Sequence, residues 1–589
     1  MSGKLKLSVL LALSVMAVTS VNLPAQADTS WSTFSCEKRA DKIARSTVAN
    51  NSDFDVVIYG GTPSGVAAAT TAANQGKKVL ILSESSLFGG SISNGLSATD
   101  IGSIYANVGL AKEFLNQVQS FYHTTDFRTE PKVAECIFQG WLSKKNITTG
   151  INTVLDSATK SNNKITDLNF HTSTSQDSVK VTGKAFIDAS YAGDLMFESG
   201  LKTRLGMSDY YTYNETVTDY RKLNLQFRLK DQNEIATAEG DFSKLPQVTI
   251  ASSLTDYKTQ IKTGMPSFTY RLCVTKNPNN LVPFAKTAEY ETYAPAWRTW
   301  MKNYYGYNIQ KEPVVKPNGT VLTQLWRLSK LPNNKFDLNA YFSSFTNLTM
   351  PKEYFDNPTN RPAILAKYTG YLQSFLWFVQ NDDSVPKLEA NALAGFGLCA
   401  DEFASSANWP QQPYLREGRR LIGQTTLTAR DILLNRIKAD GVAVGAYPLD
   451  SKPTLFIYSN GVYARDRGVM FRAPLYEIPL SAMLPKQGPT NLIVSVGISA
   501  SPAAYASIRM EPQYLQLGQA AGLAAAIAVD RGTGFSQSLA TPIRTELAKV
   551  NGFKGITSIC LKMNGDLRKY WGFVESNCIT KNIGLVIAN

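Results

Sequence analysis

Gly60, Gly61, Thr62, Pro63, Ser64 and Gly65, followed nineteen residues after Gly65 by Glu84, are the residues of this chain whose types and spacing most directly imply chemistry. Glycines let a backbone turn tightly and approach a pyrophosphate, and a helix starting there offers unpaired amides with partial positive charge. A carboxylate about twenty residues on accepts hydrogen bonds from a ribose and repels a 2′-phosphate. The chemistry implied is binding of a dinucleotide, FAD or NAD. Thr62 fills the middle glycine of G-x-G-x-x-G, so the match is imperfect, and a Gly-rich turn alone is weak evidence. The flanking elements strengthen it. Val56–Tyr59 reads as a buried parallel strand, alanines at 67, 68, 69, 72 and 73 predict a helix over Ser64–Gln75, and Val79–Leu82 reads as a second strand. Strand, loop, helix, strand and acid form one βαβ unit.

Further strands return to this unit from distant segments. The stretch Lys184–Asp194 is a short apolar strand running into Asp188 and Ala189, and Asn491–Gly497 is another buried-strand pattern ending at Gly497. Pro512 opens an Ala- and Gly-rich helix reaching about Val529, with Gln513 in its first turn. Residues 101–183 read as amphipathic helix mixed with polar loop. The fold class expected is α/β: a Rossmann-like cofactor domain assembled from residues 28–200 and 481–535, with an α+β substrate domain over 201–480 and a C-terminal extension over 536–589. Aromatic residues are dense in the inserted domain, where Trp297, Trp300, Trp326, Trp377 and Trp409 either stack on ring substrates or, more commonly for tryptophan, form core.

Lys4 and Lys6, an apolar run from Leu7 to Val21 and Ala25-Gln26-Ala27 read as a secretory signal cleaved near Ala27. The expected location is secreted or periplasmic, with no transmembrane segment. Removal of residues 1–27 leaves 562 residues and lowers the formal charge from +13 to +11, because Lys4 and Lys6 leave. The remaining basic residues are scattered, which argues against nucleic acid as a partner. Six cysteines at 36, 136, 273, 399, 560 and 578 suggest disulfides in an exported chain, with pairing not derivable, although Cys560 with Cys578 would close a local loop. With only His123 and His171 present, a histidine-rich metal site cannot be built, and no metal is expected.

Beyond these patterns the chain resembles exported FAD-dependent oxidoreductases of the glutathione-reductase flavoprotein superfamily, some of which carry the label xanthan lyase. The resemblance runs from Asp53 to about Asp530 through YGGTPSG (59–65), FGGSISNGLSATDIG (88–102), FIDASYAGDLM (186–196), YRLCVTKNPNN (270–280), LPNNKFDLN (331–339), LWFVQNDDSVP (376–386), YLREGRRLIG (414–423), YPLDS (447–451) and SASPAAYASIRMEPQYLQLGQAAG (499–522). It implies FAD rather than NAD, with Gly89, Gly90 and Ser91 as a second turn against the dinucleotide, and it tolerates Thr62. Where relatives carry histidines this chain has Lys452 and Pro502, so a base at either place is vacant or has moved.

Several residues inside these motifs are candidates for chemistry. Arg509 precedes the last long helix and would stabilise negative charge on the flavin, or else only pair with Glu511 or a neighbouring carboxylate. Lys452 replaces a base if burial lowers its pKa. Asp100 would orient flavin or substrate. Arg271, Lys335, Asp337, Asn339 and Asp450 would contact substrate or cap turns, and Arg416, Glu417, Arg419 and Arg420 are expected as an ion-pair network. The function expected is oxidation of a small-molecule or carbohydrate-like substrate by hydride transfer to FAD, with oxygen, a quinone or another carrier as the electron acceptor, its identity unknown. The alternatives are a flavin-free binding protein on a degenerate FAD fold and a polysaccharide lyase.

Overall fold

The computed structural model describes residues 48–207, 236–253, 264–303, 313–323, 325–340, 346–434, 438–452, 456–465, 469–471, 473–551 and 555. The expected signal at 1–27, Cys36, Cys560 and Cys578, and the extension beyond 555 lie outside the described residues. The first strand, β1 (Ser52–Tyr59), leads into helix α1 (Pro63–Asn74) and then β2 (Val79–Leu82). The two strands pair in parallel with Val56 opposite Val79 and Tyr59 opposite Leu82, and every residue of β2 is buried. Burial on both faces explains why their sequences are continuous apolar runs without alternation.

After β2 come a short helix α2 (Gly90–Ser93), then α3 (Leu110–Tyr122) and α4 (Pro131–Leu142). The next strand, β3 (Ile147–Gly150), extends the parallel sheet beyond β2. Three further strands, β4 (Thr153–Ser161), β5 (Lys164–Thr172) and β6 (Ser175–Asp188), form an antiparallel meander. The far end of β6 pairs in parallel with β1, placing Asp188 opposite Tyr59. The strand Leu492–Val494 joins the same end of β6, with Leu492 opposite Phe186. Residues 101–183 therefore hold two helices, as expected, and also strands in place of the expected polar loop. These strands escape notice because β4 and the first half of β6 are largely solvated, so their polar residues mask the period of two.

The long helix Glu511–Arg531 packs directly along α1. A Cβ on Gly518 would stand 2.0 Å from the Ser64 carbonyl oxygen, so the backbones touch where no side chain intervenes. Against this cofactor layer stands a seven-stranded antiparallel sheet whose central strands are Gly397–Cys399, Leu272–Thr275, Lys335–Ala340 and Trp326–Lys330, in that order. Its helices Tyr290–Asn303 and Arg361–Asn381 enclose an aromatic core, in which Trp297 is fully buried among Tyr371, Phe375 and Phe378 and donates its indole N–H to the Tyr371 hydroxyl at 3.2 Å. Trp297, Trp326 and Trp409 are buried, as core tryptophans would be. Cys273 and Cys399 form a disulfide, and Cys136 is also disulfide-bonded. No helix among the described residues is long and apolar enough to cross a membrane.

Candidate active site

Gly60 follows β1 with φ +118°, and a Cβ there would lie 2.3 Å from the Ala189 backbone at the end of β6. A Cβ on Gly65 would lie 1.9 Å from the Gly60 carbonyl oxygen. Both places require glycine, because the loop is folded tightly upon itself. Thr62 has φ −72° and needs no such freedom; instead its hydroxyl accepts from the Gly65 amide at 3.2 Å and donates to the Ala189 carbonyl at 2.8 Å. The threonine caps α1 and ties the loop to β6, a physical reason for its standing where a glycine is usual. Pro63 occupies the first helical turn, where no amide is needed, and Ser64 donates to the Ser495 carbonyl at 3.4 Å.

The second glycine turn is fastened to the first. Gly89 and Gly90 donate their amides to the Gly61 carbonyl at 2.8 and 3.2 Å, and the Ser91 amide donates to the Tyr191 hydroxyl at 2.9 Å. Tyr191 in turn donates to the Glu511 carboxylate at 2.8 Å, linking the turn to the start of the long helix. Glu511 is buried, and desolvation pushes its carboxyl up to about 8. Asp188 holds the intervening corner, accepting from the Ser190 and Met196 amides at 2.9 and 2.7 Å. Gly497 accepts from the Leu421 amide at 2.7 Å, and Gln513 donates to the Tyr476 hydroxyl at 3.3 Å.

Whether these residues fit FAD is decided by what they leave unsatisfied. Glu84 is half-buried at the end of β2, burial and then Asp194 push its carboxyl upward, and no other described residue donates a hydrogen bond to it. The buried hydroxyls of Ser93, Ser97 and Thr99, along the segment leading away from the second turn, also lack partners among the described residues. An acceptor for a ribose diol, two glycine turns at a helix N-terminus and a run of orphaned hydroxyls are the polar requirements of an extended dinucleotide, so the residues present fit.

The segment from Ser97 ends beside a cluster of charge. Ala98 donates its amide to Asp337, which also receives two hydrogen bonds from Arg271, one of them at 2.8 Å. Arg271 is thus clamped in a buried ion pair, with its backbone carbonyl against Gly95, and Asp100 is within its electrostatic reach. Arg509 donates to the Tyr414 hydroxyl and to the Asp450 carbonyl, both at 2.8 Å, and to the Asp450 carboxylate at 3.3 Å. It pairs with Asp450, not with Glu511. Lys452 approaches the other Asp450 oxygen at 2.9 Å, with a third of its side chain exposed. Burial lowers the Lys452 pKa, while Asp450 opposes the shift.

The remaining candidates separate by location. Of the expected ion-pair network, Arg420 with Glu417 pairs inside the cluster, at 2.7 Å, whereas Arg419 pairs outside it with Asp356 at 2.7 Å, and Arg416 turns toward Tyr414. Lys335 meets Glu130, Asp401 and Glu402, its ammonium filling the place among three carboxylates that a metal ion would take. It braces α4 against the antiparallel sheet. Sequence reasoning did not single out Tyr191, Tyr414 or the linkage through Glu511, although all three residues lie inside motifs quoted above. Tyr191 lies 100 residues from Ser91 and Tyr414 lies 95 from Arg509, so only the fold brings them together.

No curated protein matches the sequence. Among solved structures, the flavin-dependent brominase Bmp2 is 9% identical with a TM-score of 0.33, covering 91% of this chain and 90% of that one. A geranylgeranyl bacteriochlorophyll reductase-like protein from Thermoplasma acidophilum is 10% identical with a TM-score of 0.28, covering 91% of this chain and 90% of its own. The match to L-proline dehydrogenase from P. horikoshii, 16% identical with a TM-score of 0.18, spans 27% of this chain and only 26% of that one. The model of the family described as FAD dependent oxidoreductase matches residues 55–549, which include both glycine turns, Glu84, Tyr191 and the Arg509–Asp450 cluster, and the chain belongs to that family.

Proposed function

We propose that this FAD-dependent oxidoreductase oxidises a small organic or carbohydrate-like donor by hydride transfer and passes the electrons to oxygen, a quinone or another carrier. The observation that carries the reading is the buried charge cluster around Asp450 and Tyr414: Ala98, Asp337 and Arg271 join it to the segment after the second glycine turn, and its Arg509 is within electrostatic reach of Glu511, which Tyr191 ties to Ser91. FAD, when bound, supplies a two-electron acceptor for hydride. In this reading Gly60–Gly65 and Gly89–Ser91 cradle the pyrophosphate, Glu84 takes the ribose, and Ala189, Gly497 and Gln513 line the cleft.

Arg509 would present positive charge to the reacting end of the cleft, while Arg271 acts through Asp337 to position the segment carrying Asp100. Lys452 would receive the hydroxyl proton as the donor carbon gives up its hydride, so that one C–H and one O–H bond break and a carbonyl forms. Its lowered pKa supports that role. We also propose export after cleavage near Ala27, from the basic and apolar pattern of the first 27 residues. The parallel order β3-β2-β1-β6 with its antiparallel meander supports the glutathione-reductase type of architecture.

Anaerobic mixing of the purified protein with sugars, hydroxy acids and amines, while the visible flavin band is followed, tests the reading. Bleaching by at least one donor is expected. An unsaturated product without bleaching would instead mark a lyase, and no bleaching by any donor sinks the proposal.

A further inference from the structure

Three guanidinium groups converge on Tyr414. Arg509 donates to its hydroxyl at 2.8 Å, and the guanidinium carbons of Arg416 and Arg271 lie 5.2 and 5.9 Å from its ring centroid. Two of the three have carboxylate partners: Arg271 is paired with Asp337, and Arg509 shares Asp450 with Lys452. Arg416 has none among the described residues. Its hydrogen bonds go to the Ser267 carbonyl and, at 3.3 Å, to the side-chain oxygen of Asn347.

Only 4% of Arg416 is exposed, so this is a buried cation whose partners are neutral. Burial pushes its pKa down to about 10; Tyr414 and the more distant Asp450 carboxylate oppose the shift, and Arg509 and Arg271 add repulsion. Removing a cation from water without a counter-ion is costly, and the cost is offset when an anion completes the site. Lys452, within electrostatic reach of Arg416, has a third of its side chain exposed. The planar fork of a guanidinium matches a carboxylate with two parallel hydrogen bonds.

We propose that Arg416 is the anion-binding residue of the donor site, and that the donor carries a carboxylate. The proposal rests on the oxidoreductase reading and narrows its substrate to an acid. It also separates Arg416 from Arg419 and Arg420, whose charges are already met by Asp356 and Glu417.

The test is titration of the flavin-loaded protein with acetate, with acetamide and with inorganic phosphate, reading both the flavin spectrum and the heat of binding. Acetate is expected to bind saturably, and acetamide, the same shape without charge, at least about tenfold more weakly. That comparison uses the wild-type chain and does not depend on a variant folding. Arg416→Gln is expected to lose a similar factor for acetate, and Arg416→Lys to retain part of it. A flavin-loaded protein that ignores acetate, binds acetamide equally, binds phosphate more tightly than acetate, or is unaffected by Arg416→Gln overturns the assignment. A folded protein carrying no flavin would sink the underlying oxidoreductase reading instead, so the two failures are told apart.

Discussion

Lys452 and Glu511 are two titrating side chains whose surroundings pull them away from their ordinary behaviour in opposite senses. Lys452 is lowered by burial, so it releases its proton at lower pH than an exposed lysine and can serve as a base. Activity of the wild type should rise with pH through that depressed pKa. Lys452→Gln should lose the rise and fall about a hundredfold or more in kcat; a variant with the same pH profile would remove Lys452 from the chemistry. Glu511 is raised by burial to about 8 from an ordinary 4.5. Between those values the unfolded chain releases the proton while the folded chain keeps it, so stability falls as pH rises from about 4.5 to 8, on the order of 4 kcal/mol from this group. Glu511→Gln, which keeps a polar partner for Tyr191, should flatten this loss in urea unfolding compared at pH 5 and pH 8. Equal slopes in the two proteins would show that Glu511 does not carry it. Neither behaviour is visible from residue type, since both shifts come from burial, which only the fold brings about.

At the scale of elements, the legible parts were those where pattern and burial agree. The runs in β1 and β2 and the alanines of α1 and of the Glu511 helix are continuous because these elements are surrounded on all sides. The largely solvated β4 was illegible by hydropathy, yet the turn that joins it to β5 carries a readable signal: Asn162 and Asn163 both adopt positive φ, at 49° and 58°. The same device recurs at Asn333 and Asn334, both at 58°, between the strands Trp326–Lys330 and Lys335–Ala340. Asn333 and Asn334 were read as part of a family marker when they also mark a tight hairpin. Packing of the two Ala-rich helices makes a sharp prediction. Gly518→Val would force a branched side chain against the Ser64 carbonyl, separating α1 from the Glu511 helix, and should cost at least about 2 kcal/mol and release FAD. Unchanged unfolding and unchanged flavin content would contradict the close approach.

Across the whole molecule, the cofactor fold is assembled from segments more than 300 residues apart, since Leu492–Val494 completes a sheet begun at Ser52. The strand pattern at 491–497 and the glycine loop made that assembly readable. The charge cluster was not readable, because Arg271, Asp337, Tyr414, Asp450 and Arg509 come from five separate stretches and only the fold brings them together. The disulfide between Cys273 and Cys399 ties two strands of the antiparallel sheet across 126 residues of sequence. Replacing both cysteines by alanine should lower stability by about 2–5 kcal/mol, measured by urea unfolding in the absence of reductant. An unchanged midpoint would mean that the sheet holds without the crosslink. The central claim is that the loop after β1 holds FAD, and it is tested most directly by the FAD released per folded chain from the wild type and from Gly65→Val. The account predicts close to one FAD for the wild type and loss of most of it in the variant, whereas a folded wild type without FAD, or a variant that keeps it, would contradict the account.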